Sequence, residues 1–213
     1  MTPRARLNAV RAAFVFSVLL VLASCGKHES ETRPPTGSSV AAADEQARFD
    51  AERKPEKLVE ALAIGPGSKV ADVGAGSGLI TVHLARAVAP SGRIVATDID
   101  GSVLDLLQQR LDAQGLGQVV EKRVVAADKP GLDDGGYDAI LLAEVDHYFP
   151  DPVKWLQTAA SALKPGGRIV ISNRIYHRAQ SMDAARKAGL VLKSESTPVP
   201  THFIAVFTVE PKK

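Results

Sequence analysis

One cysteine, Cys25, stands in the 213 residues, so no disulfide can close within the chain. The apolar run from Ala12 to Ala23 has 12 residues, against the ~20 that a permanent bilayer span needs. Neither charge sign is in excess. Three of the 26 basic residues, Arg4, Arg6 and Arg11, sit in a first stretch of 25 residues that carries no acid, and the other 23 face 24 acidic residues. So even a balance leaves no basic face for nucleic acid. No internal repeat is visible, which excludes a solenoid. What remains is 45% apolar and 23% charged, the composition of one globular domain with an extension.

The extension comes first. Arg4, Arg6 and Arg11, then the apolar run, then Leu22-Ala23-Ser24-Cys25 give the order of a secretory signal peptide: basic, apolar, small. The last four residues resemble the lipobox of bacterial lipoproteins. That resemblance implies a signal peptide over 1–24, with Cys25 as the acylated first residue of the mature chain. Gly26 follows in place of the Asp that favours inner-membrane retention, so an outer-membrane, periplasm-facing anchor is expected. From Lys27 to about Ala43 the chain is polar, with Pro34-Pro35 and Thr36-Gly37-Ser38-Ser39, and reads as a flexible tether. These signals divide the chain into 1–24, an anchor and tether over 25–45, and a domain over 46–213.

Within the domain, strand and helix alternate. Pro55 opens a helix that sets Leu58, Val59 and Leu62 on one face. Strands are expected over 69–73, 93–97, 119–126, 139–143 and 169–171. Helices fall between them: Ile80, Leu84 and Val88 share one face, and Val103, Leu107 and Leu111 another. Ser102 with Asp105 suggests a capping box at the start of the second, and Gly115 its C′ stop. Asp151-Pro152 reads as N-cap and N1 of a helix through Trp155, Leu156, Ala159 and Leu163. Such alternation specifies a parallel sheet covered on both faces. Strands over 190–193 and 203–209 have no helix between them and are expected to pair antiparallel.

Chemistry concentrates at the strand ends. The first strand runs into Asp72-Val73-Gly74-Ala75-Gly76-Ser77-Gly78, a turn whose glycines let the backbone approach a ligand at the carboxyl edge of an open α/β sheet. Leu79 stands where a dinucleotide fingerprint has its third glycine, which counts against an NAD(P) enzyme. Asp98, ending the second strand, can accept hydrogen bonds from both ribose hydroxyls, or can serve as a turn former with Asp100. Asp128, past the third strand, is a candidate partner for an adenine amino group or a plain solvated loop residue. Glu144, Asp146, His147 and Tyr148 follow the fourth strand. His147 is the candidate general base, since its ordinary pKa lies near neutrality, and it is equally consistent with a structural histidine. Tyr176 and His177 follow the fifth strand. Only 173–180 is free to cover an acceptor there.

In order and in motif, residues 49–211 resemble the class I, Rossmann-like S-adenosylmethionine (SAM) methyltransferases. Besides the glycine turn, the resemblance rests on Leu163-Lys164-Pro165-Gly166-Gly167-Arg168 before the fifth strand and on the entry segment Arg53-Lys54-Pro55. It implies a doubly wound, mostly parallel seven-stranded sheet with an antiparallel last strand. It also implies that Asp72, Gly74, Gly76 and Gly78 surround the amino-acid part of SAM, with Glu144 completing the site, Asp98 on the ribose and Asp128 near the adenine. No metal is implied. The partners expected are a small-molecule acceptor and, through the lipid anchor alone, a membrane. Because SAM is made in the cytoplasm, two readings stand: an active methyltransferase, or a non-catalytic envelope lipoprotein that uses the fold as a binding or scaffolding module.

Overall fold

The computed structural model describes residues 39–210. The signal-peptide segment, Cys25 and the first part of the tether lie outside them. Among the described residues, no helix is long and apolar enough to cross a membrane.

The elements are α1 (Ser39–Arg53), α2 (Pro55–Leu62), β1 (Lys69–Val73), α3 (Thr81–Val88), β2 (Arg93–Asp98), α4 (Gly101–Asp112), β3 (Val120–Val124), β4 (Tyr137–Ala143), α5 (Pro152–Ser161), β5 (Leu163–Arg174), α6 (Arg178–Lys187), β6 (Leu190–Val199) and β7 (His202–Val209). Seven strands form one sheet in the order β3-β2-β1-β4-β5-β7-β6. β7 runs antiparallel to both its neighbours, and the strands from β3 to β5 pair in parallel. The expected fold is thus the one observed.

Side chains alternate across each strand, and this divides the core in two. Val70, Ile94, Ala96 and Leu141 meet the apolar faces of α2, α3 and α4 through Leu58, Leu62, Leu84, Leu107 and Leu111. Ala71, Val95, Ile140 and Leu142 meet α5 and α6 through Trp155, Leu156, Ala159 and Ala185. Each fully buried Leu contributes on the order of 2 kcal/mol by leaving water. Chain order reverses between β1 and β4, so the crevice of the sheet opens there, at the carboxyl ends.

Three local expectations are corrected. The tether ends earlier than Ala43, because α1 begins at Ser39. No residue of α1 whose burial is described is buried. Its attachments are polar: Gln46 Nε2 donates to the Leu79 carbonyl at 3.0 Å, Asp50 meets His83 Nε2 at 2.8 Å, and Arg110 donates to the Ala42 carbonyl at 3.4 Å. At α4 the cap is Asp100, whose Oδ1 accepts the Ser102 backbone N–H at 2.8 Å, and no Ser102–Asp105 box forms. β5 starts at Leu163, which pairs with Tyr137, so the Lys164-Pro165-Gly166-Gly167 run belongs to the strand as an irregular stretch before Arg168 pairs with Ala139.

Candidate active site

The glycine turn leaves β1 at the crevice. Gly74, Gly76 and Gly78 have φ of +66°, +54° and +85°, a region costly for side chains with a Cβ. A Cβ at Gly74 would come within 2.6 Å of Val145 Cγ2, and one at Gly78 within 2.8 Å of Leu107 Cγ. Internal packing therefore explains these two glycines. Gly76 differs, because a Cβ there would meet nothing within 4 Å. Its Cα faces open space.

Asp98, at the end of β2, faces this turn. Its Oδ2 accepts the Gly76 backbone N–H at 2.9 Å and its Oδ1 accepts the Asp100 N–H at 3.1 Å. The loop is closed by the Ala75 N–H, which donates to the Thr97 carbonyl at 3.0 Å. Beside them lies a cavity of about 260 Å³, walled by Gly74, Thr97 and Asp98 on one side and by Val145, Phe149 and Trp155 on the other. Phe149 and Trp155 stack at 4.1 Å, so Trp155 is both core and cavity wall. Buried Thr97 keeps an Oγ1 without a hydrogen-bond partner among the described residues. Sequence reasoning passed over it, although a hydroxyl in the otherwise aliphatic run of β2 was the available signal.

The predicted residues do not all converge. Asp72 is 2% exposed and points to the α3 face, as the alternation of β1 dictates. It accepts the Thr81 hydroxyl at 2.7 Å and does not line the cavity. Burial raises its carboxyl to about 6, against the Thr81 hydrogen bond and with a smaller push from Asp98. Asp128 is exposed and off the cavity wall, which is formed there by Ala126, Ala127 and Lys129. Glu144 does line the cavity, with a left-handed φ of 54°, and is the centre of a charged cluster. It pairs with the Arg53 guanidinium, with Arg174 Nε at 3.2 Å, and lies 3.4 Å from His202 Nε2. Burial, then Arg174, lowers Arg53 to about 10. Burial, then Arg53 and Arg174, lowers His202 to about 4. At neutral pH the cluster thus holds two cations, one anion and a neutral ring.

His147 lies beyond the cavity wall. Its ring stacks on His177 at 4.1 Å and packs against Tyr148, a wall residue, at 3.9 Å. Burial and His177 lower its pKa, opposed by Asp146. Tyr176 is 71% exposed and contacts His177 at 4.4 Å. Among the described residues no group of three or more His, Cys, Asp or Glu could hold a metal.

Residues 71–169 match the family described as a methyltransferase domain. The chain is 29% identical over 113 residues to the ubiquinone/menaquinone biosynthesis C-methyltransferase UbiE of Ectopseudomonas mendocina, a match covering 53% of this chain and 44% of that protein. It is 31% identical over 129 residues to an uncharacterised protein of a Streptomyces fradiae transposon, covering 60% and 36%. The chain thus spans under half the length of these relatives. Among solved structures, a SAM-dependent methyltransferase from Aquifex aeolicus superposes with a TM-score of 0.70 at 21% identity, covering 79% of this chain and 96% of that one. A geranyl diphosphate C-methyltransferase from Streptomyces coelicolor, solved with S-adenosyl-L-homocysteine, gives 0.64 at 16% identity, covering 82% and 85%. Residues 71–169 are thus similar to a methyltransferase domain, and the described residues have the class I, SAM-dependent methyltransferase fold.

Proposed function

We propose that the protein transfers a methyl group from SAM to a small-molecule acceptor. The observation that carries this is the meeting of Gly76 and Asp98: a backbone bend with an open side, hydrogen-bonded to a carboxylate at the lip of the cavity. Asp98 would take the ribose hydroxyls, as a carboxylate can accept from both. The unpartnered Thr97 Oγ1 and the stacked Phe149 and Trp155 fit a polar, planar base between them. Gly74 and Glu144 line the cavity, and the amino-acid part would lie beside them, towards the open side of Gly76. Asp72 and Gly78 would act behind it, by setting the turn. SAM supplies an electrophilic methyl for in-line displacement, so the protein's own contribution is positioning and exclusion of water.

Supported by sequence alone, the reading extends to the N-terminus: Cys25 as a lipidated residue, anchoring the domain at the periplasmic side of the envelope. The similarity to a C-methyltransferase of ubiquinone/menaquinone biosynthesis and to a geranyl diphosphate C-methyltransferase favours a small molecule over a macromolecule as acceptor. Titration of the purified protein with SAM by calorimetry tests the core of the proposal. Micromolar binding is expected. No heat and no thermal shift at millimolar SAM would leave the non-catalytic module as the surviving account.

A further inference from the structure

Asn173, in β5, is fully buried, and its amide has one workable orientation. Oδ1 accepts the Arg174 backbone N–H at 2.7 Å, and Nδ2 donates to Asp146 Oδ1 at 2.7 Å. Turning the amide over would set oxygen against carboxylate and N–H against N–H. Asp146 is itself buried and held from the other side by the Ser181 hydroxyl.

The same Nδ2 lies 2.9 Å from His147 Nδ1. Both of its hydrogens are donors, so Nδ1 must accept, and a nitrogen that accepts carries its lone pair and no proton. In the neutral ring the proton then sits on Nε2. Nε2 has no hydrogen-bond partner among the described residues and is not sealed from solvent. The groups facing the ring are His177, stacked on one face, and Tyr148, with Asp146 behind the amide.

We propose that Asn173 is a positioning residue that fixes His147 as an N–H donor at Nε2, so that the neutral ring has no free lone pair with which to take a proton from an acceptor. This rests on the methyltransferase reading and deepens it in one respect: an acceptor that must lose a proton loses it to a group other than His147.

The test is long-range proton–nitrogen NMR on the full chain labelled with nitrogen-15 at histidine, with His147→Gln identifying the resonance among five histidines. A bare Nδ1 and a protonated Nε2 are expected near pH 7.5, and a proton on Nδ1 overturns the inference. Asn173→Asp removes the amide donor and sets a second carboxyl group beside Asp146, so that the pair of acids shares a proton and turns net negative charge towards His147 Nδ1. It is expected to move the proton to Nδ1 and raise the titration midpoint of His147 by about one pH unit or more. Neither change would mean that Asn173 does not set the ring. Should that variant not fold, the wild-type tautomer still decides. SAM calorimetry on the same samples keeps the two readings apart. SAM bound beside an Nδ1-protonated ring sinks only this inference, and no SAM binding beside an Nε2-protonated ring sinks the methyltransferase.

Discussion

Arg53, the last residue of α1, donates its guanidinium N–H to Glu144, 91 residues further on at the end of β4. The pair ties a helix with no fully buried residue among those whose burial is described to the rim of the cavity. Its partners are unequal. Without Arg53, Glu144 still has Arg174, whereas without Glu144, two arginines lie side by side with no acid between them. Glu144→Ala is therefore expected to cost on the order of 2 kcal/mol, below the ~3–5 of a fully buried broken pair because water reaches part of this one. Arg53→Ala is expected to cost about 1 kcal/mol. Urea unfolding gives the order, and amide exchange in α1 should accelerate in both. An equal cost, or an unaltered α1, would contradict the asymmetry.

Asp72 gives a dependence on pH of definite sign. Its folded carboxyl sits at about 6, above the ~3.9 of an unfolded aspartate. Between those values the folded chain binds more protons, so this residue makes stability fall as pH rises. Asp72→Asn keeps an oxygen for the Thr81 hydroxyl and removes the titration. Its melting temperature relative to wild type should rise from pH 4.5 to pH 7. A constant difference across that range refutes the shift.

His202 acts in the opposite direction over nearly the same window. Its folded value of about 4 lies below the ~6.5 of an unfolded histidine. The folded chain therefore binds fewer protons there, and stability is lost as pH falls from 6.5 towards 4. His202→Gln should flatten that loss, and a double variant with Asp72→Asn should show both changes. Melting curves at half-unit steps would reveal the two opposed slopes, and a His202→Gln profile parallel to wild type would remove His202 from the account.

What was legible in the sequence follows the range of the interactions. Asp151 caps α5 through Lys154, three residues away, with Pro152 at N1, so the dipeptide alone announces the helix. The strands are equally plain because their aliphatic runs are buried on two faces. By contrast, α1 carries no apolar stripe, and its partners Leu79, His83 and Arg110 lie 33 to 68 residues away, so its polar stretch looked like tether. Asp72 shows a subtler failure. The motif names the residue, but strand alternation turns its side chain to α3. The Asp146–Asn173–His147 contacts span 26 and 27 residues across two strand ends, and no local pattern marks them.

The glycine turn separates architecture from binding in one comparison. Gly74→Ala places a Cβ 2.6 Å from Val145 Cγ2 and forces a side chain into φ +66°. It is expected to cost about 2–4 kcal/mol, the sum of ~1–3 for overpacking and ~1 for a left-handed residue. Gly76→Ala meets no atom within 4 Å, so only the ~1 kcal/mol backbone cost at φ +54° remains. If the open side of Gly76 receives the cofactor, its added methyl intrudes on the ligand and not on the protein. SAM affinity should then fall about tenfold or more while the fold holds, since 1.4 kcal/mol of lost contact is a factor of ten. Thermal unfolding and SAM calorimetry on the two variants decide the matter. A Gly76→Ala protein that binds SAM as tightly as wild type would show that the turn serves the fold alone, because the one glycine that packing does not require would then have no ligand to explain it.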